Sequence, residues 1–200
     1  MLIDCGFTHL GFPHFLPVNI EDTTLLESRQ IIKSIYEAAI PVLITYQSSA
    51  NDITKTLDYL SINYVQLHGK IDLAEIKKIK SIRSNIFIIK SIIIRNSNPN
   101  APLNEVYKYQ DYIDYFITDT YNPETGAEGA TGKTHDWGIS REIVKTSIKP
   151  VILAGGLNHS NISKAIDYVK PAGVDVHNGI EDNNGNKDKD KALLFVSACL

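Results

Sequence analysis

An α/β fold built on a parallel sheet is what this 200-residue sequence predicts, and three observations carry the prediction. Short β-rich runs alternate with helix-patterned stretches along the whole chain, the βαβα order of a parallel sheet. Several of these runs, VLIT at 42–45, IFII at 86–89 and VILA at 151–154, are almost wholly apolar, as strands covered on both faces are. No linker-like stretch divides the chain, so residues 1–200 read as one domain. This order allows a TIM barrel or a doubly wound open sheet.

The expected strands are Thr8–Phe12, Pro41–Tyr46, Tyr64–Leu67, Ile86–Ile94, Tyr115–Thr118, Val151–Leu153 and Gly173–Val176. Between them, Thr24–Tyr36 carries apolar residues at 25, 26, 31, 32 and 35, and Asp72–Ile82 carries them at 73, 76, 79 and 82. Both spacings are those of a helix face. Asp52 and Asn161 are expected at helix starts, where a side-chain oxygen can accept from a free backbone N–H. A last helix is expected over Ala192–Cys199, after a polar turn at 183–191 (NNGNKDKDK) that reads as solvated surface. Seven strands are one short of a (β/α)₈ barrel, which takes about 250 residues, with about 200 near the lower limit. Either Met1–Asp4 supplies a stub of the first strand, or the first βα unit is missing or degenerate. An incomplete barrel would expose two sheet edges, a reason to form a homodimer.

Composition excludes several functions. Twenty Lys and Arg against 23 Asp and Glu give a net charge of −3, without the basic excess of a nucleic-acid binder. No apolar run reaches the roughly 18–20 residues that span a bilayer, so no membrane partner is expected. The start, Met1–Cys5, has an early acid and no basic stretch, unlike a signal peptide. Two cysteines, Cys5 and Cys199, sit at opposite ends and make no disulfide framework, which fits a cytoplasmic protein. The six histidines show no metal-ligand spacing, and no metal is expected.

In a barrel, chemistry gathers at the carboxyl ends of the strands. His68 and Gly69 follow the third expected strand, Asp119 the fifth, Ala154-Gly155-Gly156 the sixth and His177-Asn178-Gly179 the seventh. Glycines there let the backbone approach a ligand and aim N–H groups at it, and helix N-termini favour an anion. Gly155-Gly156 and Asn178-Gly179 therefore suit a phosphate. Asp119 is the leading catalytic candidate. An acid ending an apolar strand is partly desolvated, which raises its pKa and lets it donate a proton near neutrality. Asp175 interrupts Val174–Val176 and either orients a substrate or supports the strand end. The run GAEGATGKT at 126–134 imitates an NTPase phosphate loop, but Ala127 stands where that motif needs glycine. A loop over the site is the better reading of this stretch.

Taken together, Leu10-Gly11-Phe12, Val65-Gln66-Leu67-His68-Gly69, Thr118-Asp119-Thr120, Gly132-Lys133-Thr134-His135-Asp136-Trp137, Leu153-Ala154-Gly155-Gly156-Leu157-Asn158, Gly173-Val174-Asp175-Val176, Gly179-Ile180-Glu181 and Gly185-Asn186-Lys187-Asp188 carry a family signature. In order and spacing the set resembles the phosphoribosylanthranilate isomerase family of tryptophan biosynthesis. That resemblance implies an Amadori rearrangement of N-(5-phosphoribosyl)anthranilate to 1-(2-carboxyphenylamino)-1-deoxyribulose 5-phosphate, without cofactor or metal. By the same resemblance Asp119 is the general acid. Gly155, Gly156 and Gly179, with Gly129 and Gly132 of the loop, hold the phosphate, and His68 matches a site residue. The family's general base is a cysteine in a Cys-Gly-Ile-Thr-like motif ending strand one. Cys5-Gly6-Phe7-Thr8 matches that motif, whereas spacing fits Gly6 to the turn entering strand two, which would make Cys5 the end of a helix. Three departures accompany the match. No arginine lies in His14–Asp22 to grip an anthranilate carboxylate, His177 and Asn178 replace small hydroxyl residues, and Ala130 replaces a loop glycine. These features keep open a non-catalytic or repurposed phosphosugar-binding barrel, or isomerase chemistry on another phosphosugar with His14 or His68 as base.

Overall fold

The structure is a computed structural model that describes residues 1–17, 23–95, 100–121 and 134–200. Seven strands each precede a helix. They are β1 (His9–His14), β2 (Ile40–Thr45), β3 (Tyr64–Leu67), β4 (Phe87–Ile94), β5 (Tyr115–Thr120), β6 (Val151–Leu153) and β7 (Gly173–Val174). The helices are α1 (Leu25–Ile35), α2 (Ala50–Leu60), α3 (Leu73–Ile82), α4 (Ala101–Tyr109), α5 (Trp137–Thr146), α6 (Ile162–Val169) and α7 (Lys189–Cys199). All seven expected strands are present, with ends shifted by one or two residues. Among the described residues no strand precedes His9. Ile3–Cys5 is instead a single 3₁₀ turn closed by Gly6 at φ 101°, so Met1–Asp4 supplies no strand stub.

Two compact units share the chain. One holds Thr8–Ser91 and Asp111–Asp114, the other Met1–Phe7, Ile92–Gln110 and Tyr115–Leu200. In the first unit β1, β2, β3 and the start of β4 pair in sequence order, all parallel, from His9 opposite Ile40 to Leu67 opposite Lys90. Val42, Leu43, Val65, Ile88 and Ile89 are buried, and β2 and β4 show no in-out alternation. That absence is what sheets covered on both faces demand of their strands. In the second unit β5, β6 and β7 are parallel, Phe116 lying opposite Val151 and Leu153 opposite Val174. The Tyr121 N–H reaches the Ile94 carbonyl at 3.2 Å and links the ends of β5 and β4.

Local chemistry explains the helix starts and corrects one of them. Thr24 and Glu27 form a reciprocal capping box on α1. Asp52 is not a cap: α2 begins at Ala50, behind Ser49, whose side chain makes no cap bond. The Ala50 N–H donates instead to Glu75 Oε2 on α3, at 2.7 Å. Asp52 lies in the first turn, where its charge still favours the positive helix end. Asn161 does stand at the start of α6, but its side chain turns back into the preceding loop.

β7 ends at Val174, two residues short of expectation, although the Asp175 N–H continues the ladder to the Leu153 carbonyl at 2.9 Å. The core of the second unit packs Leu153, Leu157, Ile162, Ala165, Val169, Ile180, Ala192 and Phe195 around Cys5. The stretch expected as a solvated turn is one, leading into α7 and tied at its base by a bridge between Glu181 and Lys187.

Candidate active site

In the second unit, β5 carries Asp119 as its last residue but one, and the side chain is 9 % exposed. The Thr120 N–H donates to Asp119 Oδ1 at 2.7 Å. Burial raises the Asp119 pKa from 3.8 to about 7; the Thr120 N–H opposes that rise, and the neighbouring Asp175 carboxylate adds to it. That rise is the one that its place at the end of an apolar strand predicts.

Asp175 stands just past β7. Its side chain is exposed; the surrounding protein raises its pKa, while His177 and Lys187 pull it down. Around it lies a fixed polar lattice. Glu181 Oε1 meets Lys187 Nζ at 2.6 Å and His177 Nδ1 at 3.2 Å, and Asn178 Nδ2 donates to Glu181 Oε2 at 3.0 Å. One N–H of the Asn178 side chain is thus engaged by Glu181.

The glycines at the ends of β6 and β7 are required by the chain itself. Gly155 has φ 95°, and a Cβ there would lie 2.2 Å from Thr120 Oγ1. A Cβ on Gly179 would lie 1.9 Å from the Leu157 carbonyl oxygen. Gly156 has φ 63°, and Asn161 Nδ2 holds its carbonyl at 3.0 Å. The bend at Gly155-Gly156 is thereby fixed before any ligand arrives. Gly129 and Gly132 lie outside the described residues.

Cys5 is 4 % exposed inside the apolar cluster of the second unit. Its Sγ lies 3.9 Å from Met1 Sδ and 4.0 Å from the Lys189 carbonyl oxygen. It ends a helical turn, as the spacing argument has it, and does not end a strand.

His68 belongs to the first unit and is 6 % exposed. Its Nδ1 lies 3.0 Å from Ser91 Oγ and 3.2 Å from Gln66 Nε2, and its ring packs on Tyr46 at 4.9 Å. An amide donating to Nδ1 places the imidazole proton on Nε2. His14, the other candidate base, is fully buried with Nε2 on Ser28 Oγ at 2.9 Å, an environment that suits structure better than catalysis.

Sequence reasoning missed two groups. Lys90 is 4 % exposed and grips the carbonyls of Leu67, Gly69 and Ser91 with its ammonium, at 3.3, 3.2 and 2.8 Å. A cation and a hydroxyl interrupting the apolar run FIIKSIII was the available signal. The other group is a buried series beside Asp119: Thr120 Oγ1 lies 2.8 Å from His135 Nδ1, and His135 Nε2 lies 2.6 Å from Ser140 Oγ. Among the described residues no cluster of three or more His, Cys, Asp or Glu could hold a metal ion.

The family model described as "PRAI: N-(5'phosphoribosyl)anthranilate (PRA) isomerase" matches residues 20–198. The chain belongs to the phosphoribosylanthranilate isomerase family. A relative from Methanosarcina mazei, N-(5'-phosphoribosyl)anthranilate isomerase 2, is 36 % identical over 169 residues, covering 84 % of this chain and 74 % of the relative. The crystal structure of phosphoribosylanthranilate isomerase from Thermotoga maritima superposes with a TM-score of 0.82 at 26 % identity, over 99 % of this chain and 90 % of that one. A second structure of the T. maritima enzyme describes it as dimeric. A further family structure holds reduced 1-(o-carboxyphenylamino)-1-deoxyribulose 5-phosphate; its TM-score is 0.80 at 23 % identity, over 99 % of this chain and 90 % of that one.

Proposed function

We propose that the isomerase reaction of this family runs in this chain through Asp119. The chain is an aldose-ketose isomerase of tryptophan biosynthesis, and it converts N-(5-phosphoribosyl)anthranilate to 1-(2-carboxyphenylamino)-1-deoxyribulose 5-phosphate. In the proposed mechanism Asp119 protonates the ribose ring oxygen, and the C1–O bond breaks as the anilino nitrogen lends its electron pair. Loss of the C2 proton from the resulting iminium then gives an enol that settles as the ketone. The observation that carries this reading is the burial of Asp119, which brings its pKa to about 7 and keeps a proton available for an oxygen leaving group.

The backbone of Gly155, Gly156, Asn178 and Gly179 is the proposed seat of the 5-phosphate, supported by the bend that the chain fixes at Gly155-Gly156. Asp175 is proposed to orient the sugar hydroxyls. Cys5 keeps its motif, but its apolar enclosure supports packing over proton transfer. The proposed architecture is a TIM-type α/β barrel. It would work in the cytoplasm, where Cys5 and Cys199, both unpaired, stay reduced.

The test is a fluorescence progress curve with freshly generated phosphoribosylanthranilate. Asp119→Asn is expected to lower kcat by about 10³-fold with KM little changed. Turnover like that of the parent in this variant would refute the assignment. Cys5→Ser is expected to retain turnover; its loss from a folded variant would restore Cys5 as the base.

A further inference from the structure

We propose that His135 is a positioning residue for this isomerase, its imidazole clamped between Ser140 and Thr120 so that the end of β5 holds Asp119 in place. The proposal rests on Asp119 serving as the general acid.

Three hydrogen bonds in series make the case. Ser140 Oγ on α5 meets His135 Nε2 at 2.6 Å, His135 Nδ1 meets Thr120 Oγ1 at 2.8 Å, and the Thr120 N–H donates to Asp119 Oδ1 at 2.7 Å. Ser140, His135 and Thr120 are 0, 6 and 4 % exposed, so water does not substitute for any of these partners. A neutral imidazole has one N–H and one lone pair, which fits one hydroxyl on each side. Burial holds the His135 pKa down at about 4, against the weaker upward pull of Asp136, so the ring stays neutral wherever the enzyme works. Gly155 completes the enclosure, since a Cβ there would fall 2.2 Å from Thr120 Oγ1 and 3.0 Å from His135 Nδ1. Shape alone could be filled by an apolar ring. What the imidazole adds is a partner for the buried Thr120 hydroxyl, which fixes the residue whose N–H holds the acid.

The sign of the effect separates positioning from mere support. The Thr120 N–H favours the carboxylate form of Asp119, so loosening it raises the pKa of the acid. Asp175 faces the same acid and pushes in the same direction, with His177 and Lys187 beside Asp175, and these groups stay in place in the variants below. In the full chain, Thr120→Val and His135→Phe are expected to lower kcat about tenfold with KM within about twofold. Their alkaline limb of kcat should move upward by about one pH unit. Thr120→Ser, which restores the hydroxyl, should recover most of the loss.

A folded Thr120→Val with the parent's kcat and pH limb would overturn the proposal. If His135→Phe fails to fold, the Thr120→Val and Thr120→Ser pair decides. Asp119→Asn is run alongside. If it is inactive while Thr120→Val behaves as the parent, only the positioning role falls. If it is active, the general-acid reading falls and takes this one with it.

Discussion

At the scale of single residues, Asp119 and His135 are two buried groups pushed in opposite directions by the same cause. Desolvation penalises charge, so it raises the acid to about 7 and lowers the imidazole to about 4. For Asp119 the folded pKa exceeds the unfolded value, so its stabilising contribution is complete below about pH 3.8 and is lost as pH rises through 7. For His135 the folded pKa is depressed, so its contribution is complete above about pH 6.5 and is lost as pH falls toward 4. Each is worth about 3–4 kcal/mol at most. Between pH 4 and 6.5 the two slopes oppose and largely cancel. Urea midpoints across this range are therefore expected to fall with rising pH in His135→Phe relative to the parent, and to rise in Asp119→Asn. Parallel pH curves for both variants and the parent would contradict the burial of these groups. Asp119 was legible in the sequence because a carboxylate is costly to bury, so one set at the end of an apolar strand stands out from its neighbours. His135 was not, because an isolated histidine after a loop gives no sign of which hydroxyls the fold will bring to its two nitrogens.

At the scale of elements, the strands were the readable part. Almost wholly apolar runs such as VLIT and IFII read as covered strands, and their burial in β2 and β4 follows. Helix α1 was equally plain, since apolar residues at 25, 26, 31, 32 and 35 mark one helix face, although its Thr24–Glu27 capping box went unread. The start of α2 was not plain, because its cap comes from Glu75, 25 residues along the chain. No local pattern reports a partner that only the fold supplies. Glu75→Ala leaves the Ala50 N–H without that acceptor, and a loss of about 1–2 kcal/mol is expected. Faster hydrogen exchange at the Ala50 amide is the local readout. Unchanged exchange there would mean that water or Ser49 replaces the carboxylate. The polar stretch 183–191 is solvated as its charges suggest, and what local pattern could not show is that Lys187 and Lys191 both reach back to Glu181.

At the scale of the whole molecule, the chain is divided between its two units in a way that composition cannot show. Residues 1–7 belong with the C-terminal unit, where Cys5 reaches Lys189 across 184 positions and Phe7 stacks on Phe195 at 6.3 Å. On a ribosome adding about 5–20 residues per second, these first residues wait roughly 10–40 s for partners that do not yet exist. Through that interval the Cys5 thiol stands in water, and it is enclosed only when α7 has been made and has docked. Its reactivity is therefore a clock for synthesis: labelled on a nascent chain, protected on a finished one, with the change marking the moment the last helix closes over the first residues.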